Sequence, residues 1–480
     1  MNKRMVAYFI GWVLKIEALL MVLPLIISLI YREEEALWIL VIAAVGGAIG
    51  VLMSRKKPDD ASFYTREGFV AVALSWIILS LFGALPFYLT GAIPSYSDAL
   101  FETISGFTTT GASILREVEG LPMGILFWRS FTHWVGGMGV LVFILAILPL
   151  TGGDNIHIMR AESPGPSVGK FVPRVKSTAK ILYGIYIGFT ALEIVILCLT
   201  GMPLVESSMI TFGTVGTGGF AVRNDSTVSY TIVQQAVITV FMLLCGTNFN
   251  VYFLMLAGKP QEAFKSEEVK AYYGIYAAVV ILCAIGARNK FDSFALALHH
   301  SAFNVASCMT TTGFASTDYD MWPMFSKMLI LLVMFIGACA GSTAGGMKVS
   351  RIVIAFKTIR KEMESLIHPR SVKIIKFEGK PIEHTVLRST NVYFMTYFIV
   401  FAISVLLVAI DGKDLTITLT SVIATLNNIG PGLGAVGPAG NFADMSMLSK
   451  YVLMFDMLAG RLELFPMLLL FSFKTWKRQW

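Results

Sequence analysis

Four short stretches decide how this sequence is read: Phe107-Thr-Thr-Thr-Gly-Ala-Ser113, Gly213-Thr-Val-Gly-Thr-Gly-Gly-Phe220, Met309-Thr-Thr-Thr-Gly-Phe-Ala-Ser316 and Asn427-Asn-Ile-Gly-Pro-Gly-Leu-Gly434. Each follows a moderately apolar segment too short to cross a bilayer, and each lies between two longer apolar runs. Aligning one glycine from each stretch, Gly111, Gly218, Gly313 and Gly430, gives a spacing of roughly 100 residues, a quasi-regular internal repeat. The repeating unit reads as helix, half-helix, glycine loop, helix. A single such cluster is ordinary turn punctuation; four in matched positions are not.

The composition says what surrounds these loops. Of 480 residues, 55% are hydrophobic and 14% charged, against about 25% charged in soluble domains, and the mean hydropathy is +0.70. An ordinary water-soluble globule is excluded, and the net charge of +7 does not suggest a nucleic-acid partner. A window of about 19 residues finds ten stretches long enough to span a bilayer: 5–30, 36–53, 68–90, 125–150, 180–200, 230–256, 270–287, 324–350, 390–410 and 447–473. The first is too long for the core of a cleaved signal peptide. Placing the amino terminus inside puts 27 of the 38 basic residues on inner segments, the distribution expected of cytoplasmic loops. The sequence therefore predicts an all-α polytopic membrane protein with ten transmembrane helices and both termini cytoplasmic. Cys198, Cys245, Cys283, Cys308 and Cys339 are odd in number and embedded in apolar sequence, which reads as packed thiols.

The expected organisation is a two-helix hairpin at 1–60 followed by pore repeats at 61–165, 166–262, 263–370 and 371–480. Backbone that is neither helix nor barrel survives at membrane depth only where protein buries it or a water-filled cavity faces it. Four such loops imply a pore. Filters for alkali cations are made of backbone carbonyls that replace the hydration shell, in extended loops of small residues with Gly where φ must be positive. The half-helices, roughly 97–105, 204–212, 292–307 and 414–426, would point their carboxyl-terminal dipole ends at the axis, which favours a cation.

At these residues the chain resembles the Trk/Ktr/HKT superfamily of potassium transporters, and in particular bacterial TrkH-type subunits, which carry two extra helices before the four repeats. The resemblance covers essentially the whole chain. It implies potassium as the transported ion, coordinated by carbonyls of Thr109, Thr110 and Gly111, Gly216, Thr217 and Gly218, Thr311, Thr312 and Gly313, and Asn428, Ile429 and Gly430. Serine in place of the first glycine goes with sodium-permeable relatives; here that residue is Gly111. The fourth loop departs from the Thr-rich pattern, as the family's own fourth repeat does. The resemblance also implies a homodimer in the cytoplasmic (inner) membrane and a cytosolic nucleotide-binding regulatory subunit of TrkA type. The basic segments 348–388 and 151–180 are candidate contacts for that subunit, though a solvated positive-inside face accounts for 348–388 with no further role. No nucleotide is expected to bind this chain itself.

Two features lie beyond the loops. Glycines 337, 341, 345 and 346 interrupt the eighth apolar stretch, each costing about 1 kcal/mol against alanine in a helix; composition alone leaves a flexible intramembrane loop and tight helix packing both open. The resemblance implies a gate there, with Gly341, Ser342, Thr343, Gly345 and Gly346 as its residues. Arg461 stands inside the last stretch, where a charge costs about 2.5–3.5 kcal/mol to insert, so that it faces a cavity or a partner, or is satisfied by carbonyls at a helix junction. Glu463, two positions on, points to another face of a helix and is a poor intrahelical partner. The resemblance implies that Arg461 acts as an electrostatic barrier beneath the filter.

Other signals are set aside. Gly432-Leu-Gly-Ala-Val-Gly437 matches a dinucleotide pattern without its strand–turn–helix setting. Gly165-Pro-Ser-Val-Gly-Lys170 is one residue short of a phosphate loop. His299, His300, Arg129 and His133 lack further metal ligands and read as packing or hydrogen-bonding groups. Asn224-Asp-Ser226 is a formal glycosylation sequon. A membrane-embedded enzyme using His133, His299 or Ser342 would need a nucleophile and base at workable spacing, and none is evident. A sodium-permeable or sodium-coupled carrier of the same fold stays open on physical grounds.

Overall fold

A computed structural model describes residues 2–56, 58, 65–137, 139, 175–370 and 374–476. The second half of the 125–150 stretch, the phosphate-loop-like 165–170 and most of segment 151–180 lie outside the described residues. Helices dominate. Among the described residues six are long and apolar enough to cross a membrane: Lys3–Ile30, Glu35–Met53, Arg66–Leu89, Ile181–Leu199, Glu267–Gly286 and His384–Asp411. Ile232–Gly246 and Phe249–Leu256 reach that length only as a pair, bent by 88°.

The remaining expected spans differ from simple rods for local reasons. The 230–256 stretch turns at Thr247 and Asn248, both with extended-type ψ, and the Asn248 side chain caps the second helix through Asn250 N–H. The 324–350 stretch is helical only over Met324–Ile336, stopping at Gly337 with φ 72°. The 447–473 stretch stops at Arg461 and resumes at Phe465, with Glu463 and Leu464 at φ 57° and 69° between. The expectation of an all-α chain needs one correction: Lys376–Phe377 and Lys380–Pro381 pair as a minimal antiparallel ribbon. Its two central residues, Glu378 and Gly379, both have positive φ, the requirement of a type I′ turn.

The amino-terminal hairpin packs through glycine. A β carbon on Gly50 would lie 2.7 Å from Gly11 O, and one on Gly11 2.9 Å from Gly50 O, the close backbone approach that small residues permit between membrane helices. Large apolar side chains remain exposed along its outer face, among them Leu29, Leu37 and Leu52. Lipid is the solvent that makes such a surface inexpensive. The main core gathers this hairpin and the Arg66–Leu89, Met123–Gly137 and Met447–Arg461 helices, and so supports the short helices described next.

Candidate ion pathway

Four short helices, Tyr96–Phe107, Leu204–Val215, Phe294–Met309 and Leu415–Leu426, lead into the four glycine-bearing loops. They coincide with the expected half-helices. Three start at a side-chain cap, from Ser95, Ser293 and Asp414, and the other starts after Pro203, so the start of each is written locally. The helices run from surface to centre: Leu415 is 69% exposed and Leu426 2%. Twelve residues rise about 18 Å, roughly half of a 30 Å hydrocarbon core.

All four end in the same way. The N–H groups of Thr110, Gly218, Thr312 and Ile429 each bond the carbonyl five residues back, on Ser105, Gly213, Ser307 and Ala424, at 2.8 Å. The residues just before them, Thr109, Thr217, Thr311 and Asn428, have φ of 53°, 55°, 55° and 55°. Asparagine tolerates this region; a β-branched threonine does not, and such strain costs about 1–3 kcal/mol per residue. Three strained threonines in matched places are the pattern expected of a functional site. One residue after the bonded N–H comes Gly111, Gly219, Gly313 or Gly430, at φ 79°, 81°, 91° and 98°. This corrects the sequence register in the second loop: the counterpart of Gly111 is Gly219, one position beyond Gly218. Gly216, Gly218 and Gly219 crowd that loop, and composition could not choose among them.

The four loops touch in a closed cycle. A β carbon on Gly111 would overlap the carbonyl oxygen of Gly218, one on Gly219 that of Thr312, one on Gly313 that of Ile429, and one on Gly430 would sit 2.6 Å from that of Thr110. Each loop therefore abuts the next, and the fourth abuts the first. Thr108–Thr110, Thr217, Thr310–Thr312 and Asn427–Ile429 are fully buried. Hydroxyls join Thr108 to Thr110 at 2.8 Å and Thr310 to Thr312 at 2.7 Å. Asn428 Nδ2 donates to Thr110 Oγ1 at 3.0 Å and to Met457 O at 2.8 Å, stitching the fourth loop to the first. No cluster of three or more His, Cys, Asp or Glu able to hold a metal ion occurs among the described residues. What the ring offers is backbone and hydroxyl oxygen, the donor set of a weakly held alkali cation.

Behind the ring stand groups that the sequence did not connect. Arg129 pairs with Glu102 at 2.7 Å, both buried, and reaches Ala221 O and Ser113 Oγ. His133 bonds Gly106 O and Phe220 N. The expectation that these two act by hydrogen bonding and packing agrees with these contacts. His299 faces Gln235 and His300 faces Ser316. The Gly432–Gly437 pattern forms a short turn around Gly434–Val436, after the helix Leu415–Leu426 rather than a strand.

Residues 337–348 lie against the ring as an irregular segment. Gly345 N–H donates to Thr311 Oγ1 at 2.6 Å, and a β carbon there would lie 2.5 Å from Asn427 O. Cys339 N–H reaches Gly246 O, and Gly341 O accepts from Phe249 N–H. Ser342 Oγ is committed to Cys339 O. Glu268 Oε1 accepts from Ala340 N–H at 2.6 Å and from Ser350 N–H at 3.2 Å, holding both flanks of the segment. Lys348 Nζ donates to Ala344 O. Arg461 spreads its two terminal nitrogens between Thr343 O and Gly136 O, each at 2.7 Å. Its neighbour Glu463 pairs with Arg351 at 2.5 Å, a long-range partner that sequence spacing could not supply. Of the residues expected to gate, Thr343, Gly345 and Arg461 are thus brought to one place, with Gly341, Ser342 and Gly346 in the same segment.

Comparison with known proteins gives a consistent relationship. The sequence profile of TrkH, described as a cation transport protein, matches residues 36–284 and 290–478. The chain is 36% identical to the Trk system potassium uptake protein TrkH of Salmonella typhimurium, over 99% of this chain and 100% of that one. It is 31% identical to the Trk system potassium uptake protein TrkG of Escherichia coli, over 99% of each. The crystal structure of the potassium transporter TrkH from Vibrio parahaemolyticus superposes with a TM-score of 0.90 at 32% identity, covering 99% of this chain and all of that one.

Proposed function

We propose that this chain, which belongs to the TrkH family of cation transport proteins, carries potassium across a membrane along the axis of the four-loop ring. Its relatives are transporters, not enzymes, and it is a multi-pass membrane protein. The observation that carries the reading is the closed cycle of glycine-to-carbonyl contacts joining loops 1 to 2, 2 to 3, 3 to 4 and 4 to 1. Such a cycle encloses an axis toward which the backbone of the four loops converges. The coordinating carbonyls are those of 109–111, 217–219, 311–313 and 428–430, with Gly216 one step earlier in the second loop. Thr109 Oγ1 and Asn428 Oδ1 are buried there without a hydrogen-bond partner, which supports a cationic occupant.

The segment 337–348 and Arg461 form the gate. A guanidinium fixed between Thr343 and Gly136 adds positive charge at the ring and opposes a passing cation. The ten-span, four-repeat architecture, insertion in the inner membrane with cytoplasmic termini, a homodimer and a cytosolic partner of TrkA type complete the proposal; the helix Val349–Ile367, which follows the gate and exposes Phe356, Met363 and Leu366, supports a cytosolic contact. The test is uptake of rubidium or potassium into liposomes holding the purified protein, with sodium and lithium as competitors. Flux that favours potassium and rubidium supports the reading. Sodium flux of equal size would favour the sodium-permeable alternative, and no flux with either the wild type or Arg461→Ala would refute the pore.

A further inference from the structure

Loops 1 and 3 each carry a threonine pair, Thr108 with Thr110 and Thr310 with Thr312, whose hydroxyls bond each other. At the matching positions loop 2 has only glycine, Gly216 and Gly218. Two side chains are missing from one quarter of the ring, yet close packing leaves no room for a void there. The space is filled from the preceding unit. Helix Met123–Gly137 sets His133 against the loop: a β carbon on Gly218 would overlap the imidazole ring, and one on Gly216 would lie 2.5 Å from His133 O.

The imidazole is fully buried and uses both nitrogens. Nδ1–H donates to Gly106 O at 2.8 Å, and Nε2 accepts from Phe220 N–H at 3.1 Å. A neutral ring has one donor and one acceptor, so these bonds select a single tautomer. One end of His133 thus grips the last turn of the first short helix, and the other grips the backbone leaving loop 2. Phe220 closes over the imidazole with centroids 4.2 Å apart, and the Arg129 guanidinium lies 3.6 Å from the Phe220 ring. The Gly218 carbonyl, which abuts Gly111 across the junction, is backed by this wedge.

We infer that His133 is a positioning residue for ion discrimination: it replaces the side chain absent from loop 2 and fixes the Gly218 carbonyl in the ring. This rests on the reading of the four loops as a potassium pathway. The test measures the potassium-to-sodium flux ratio in liposomes for the wild type, His133→Ala, His133→Gln, Gly111→Ser, Gly218→Ala and the double variant His133→Ala/Gly218→Ala. The ratio should fall about tenfold in His133→Ala, the change expected for one net hydrogen bond, with cation flux still measurable. His133→Gln, which keeps one donor and one acceptor, should retain most of the ratio. Gly218→Ala should abolish flux beside His133 and regain it in the double variant, because the ring that would be struck is gone.

An unchanged ratio in His133→Ala, or Gly218→Ala tolerated with His133 in place, overturns the inference. Should His133→Ala fail to elute as a folded species, His133→Gln and Gly218→Ala carry the test alone, and full flux in Gly218→Ala is the contrary result. A wild type without discrimination, or one indifferent to Gly111→Ser, would instead sink the potassium reading itself.

Discussion

At Gly111, Gly219, Gly313 and Gly430 a positive φ coincides with a neighbour's carbonyl where a side chain would begin. These are separable penalties. Gly91 has a similar φ of 78° with nothing near its missing β carbon, so it serves as a control for backbone strain alone. Gly91→Ala should cost about 1 kcal/mol of stability and leave ion discrimination intact. Gly313→Ala should cost more and lower the potassium-to-sodium ratio, because the Ile429 carbonyl must move. Thermal unfolding and flux on the same two variants check both statements; equal effects on the ratio would mean that the ring contacts do not govern selectivity. At this scale the sequence marked the four loops that the structure brings into contact, because Thr-Thr-Thr-Gly is distinctive. It misplaced the second by one residue, since three glycines within four positions, Gly216, Gly218 and Gly219, offer no local preference and only the φ pattern discriminates. It could not show that Glu102 reaches Arg129, or that His133 takes the space of a missing threonine, because those partners meet only after the helices pack.

Among elements, the segment 337–348 is held by few, identifiable bonds. Arg461→Ala removes the donors to Thr343 O and Gly136 O, and should raise cation flux severalfold, read in liposomes at fixed protein density; unchanged flux would mean that Arg461 is no barrier. Glu268→Ala strands the N–H groups of Ala340 and Ser350, each worth about 1–3 kcal/mol when buried unpaired. It should both lower the unfolding temperature and raise basal flux. A drop in stability with flux unchanged would separate the staple from the gate. The half-helices were legible within about two residues at most ends, because capping residues and glycine loops are local signals. The bend at Thr247 was less so, because hydropathy measures apolar length and is blind to a backbone that leaves the helix while staying apolar; the break at Gly337 was marked by its glycines.

For the whole molecule, hydropathy predicted a polytopic helical protein, and the exposed apolar helices and the relationship to TrkH agree with it. The amino-terminal hairpin is the part farthest from the proposed ion pathway in role, joined to itself by the Gly11–Gly50 approach. Gly50→Leu should separate the two helices and cost about 1–3 kcal/mol through overpacking, lowering detergent stability while the flux ratio of the surviving protein stays at the wild-type value. A changed ratio would tie the hairpin to selectivity. The closed ring was not readable from sequence, which gives the number and spacing of loops but not which loop touches which. If the ring selects the ion, competitive rubidium uptake by the purified wild-type protein in liposomes, beside Gly111→Ser, must show it. Uptake that potassium suppresses well below the level reached with equal sodium, with that difference largely lost in Gly111→Ser, is the expected result. Equal suppression by both ions in the wild type, or a difference that survives Gly111→Ser unaltered, would contradict it.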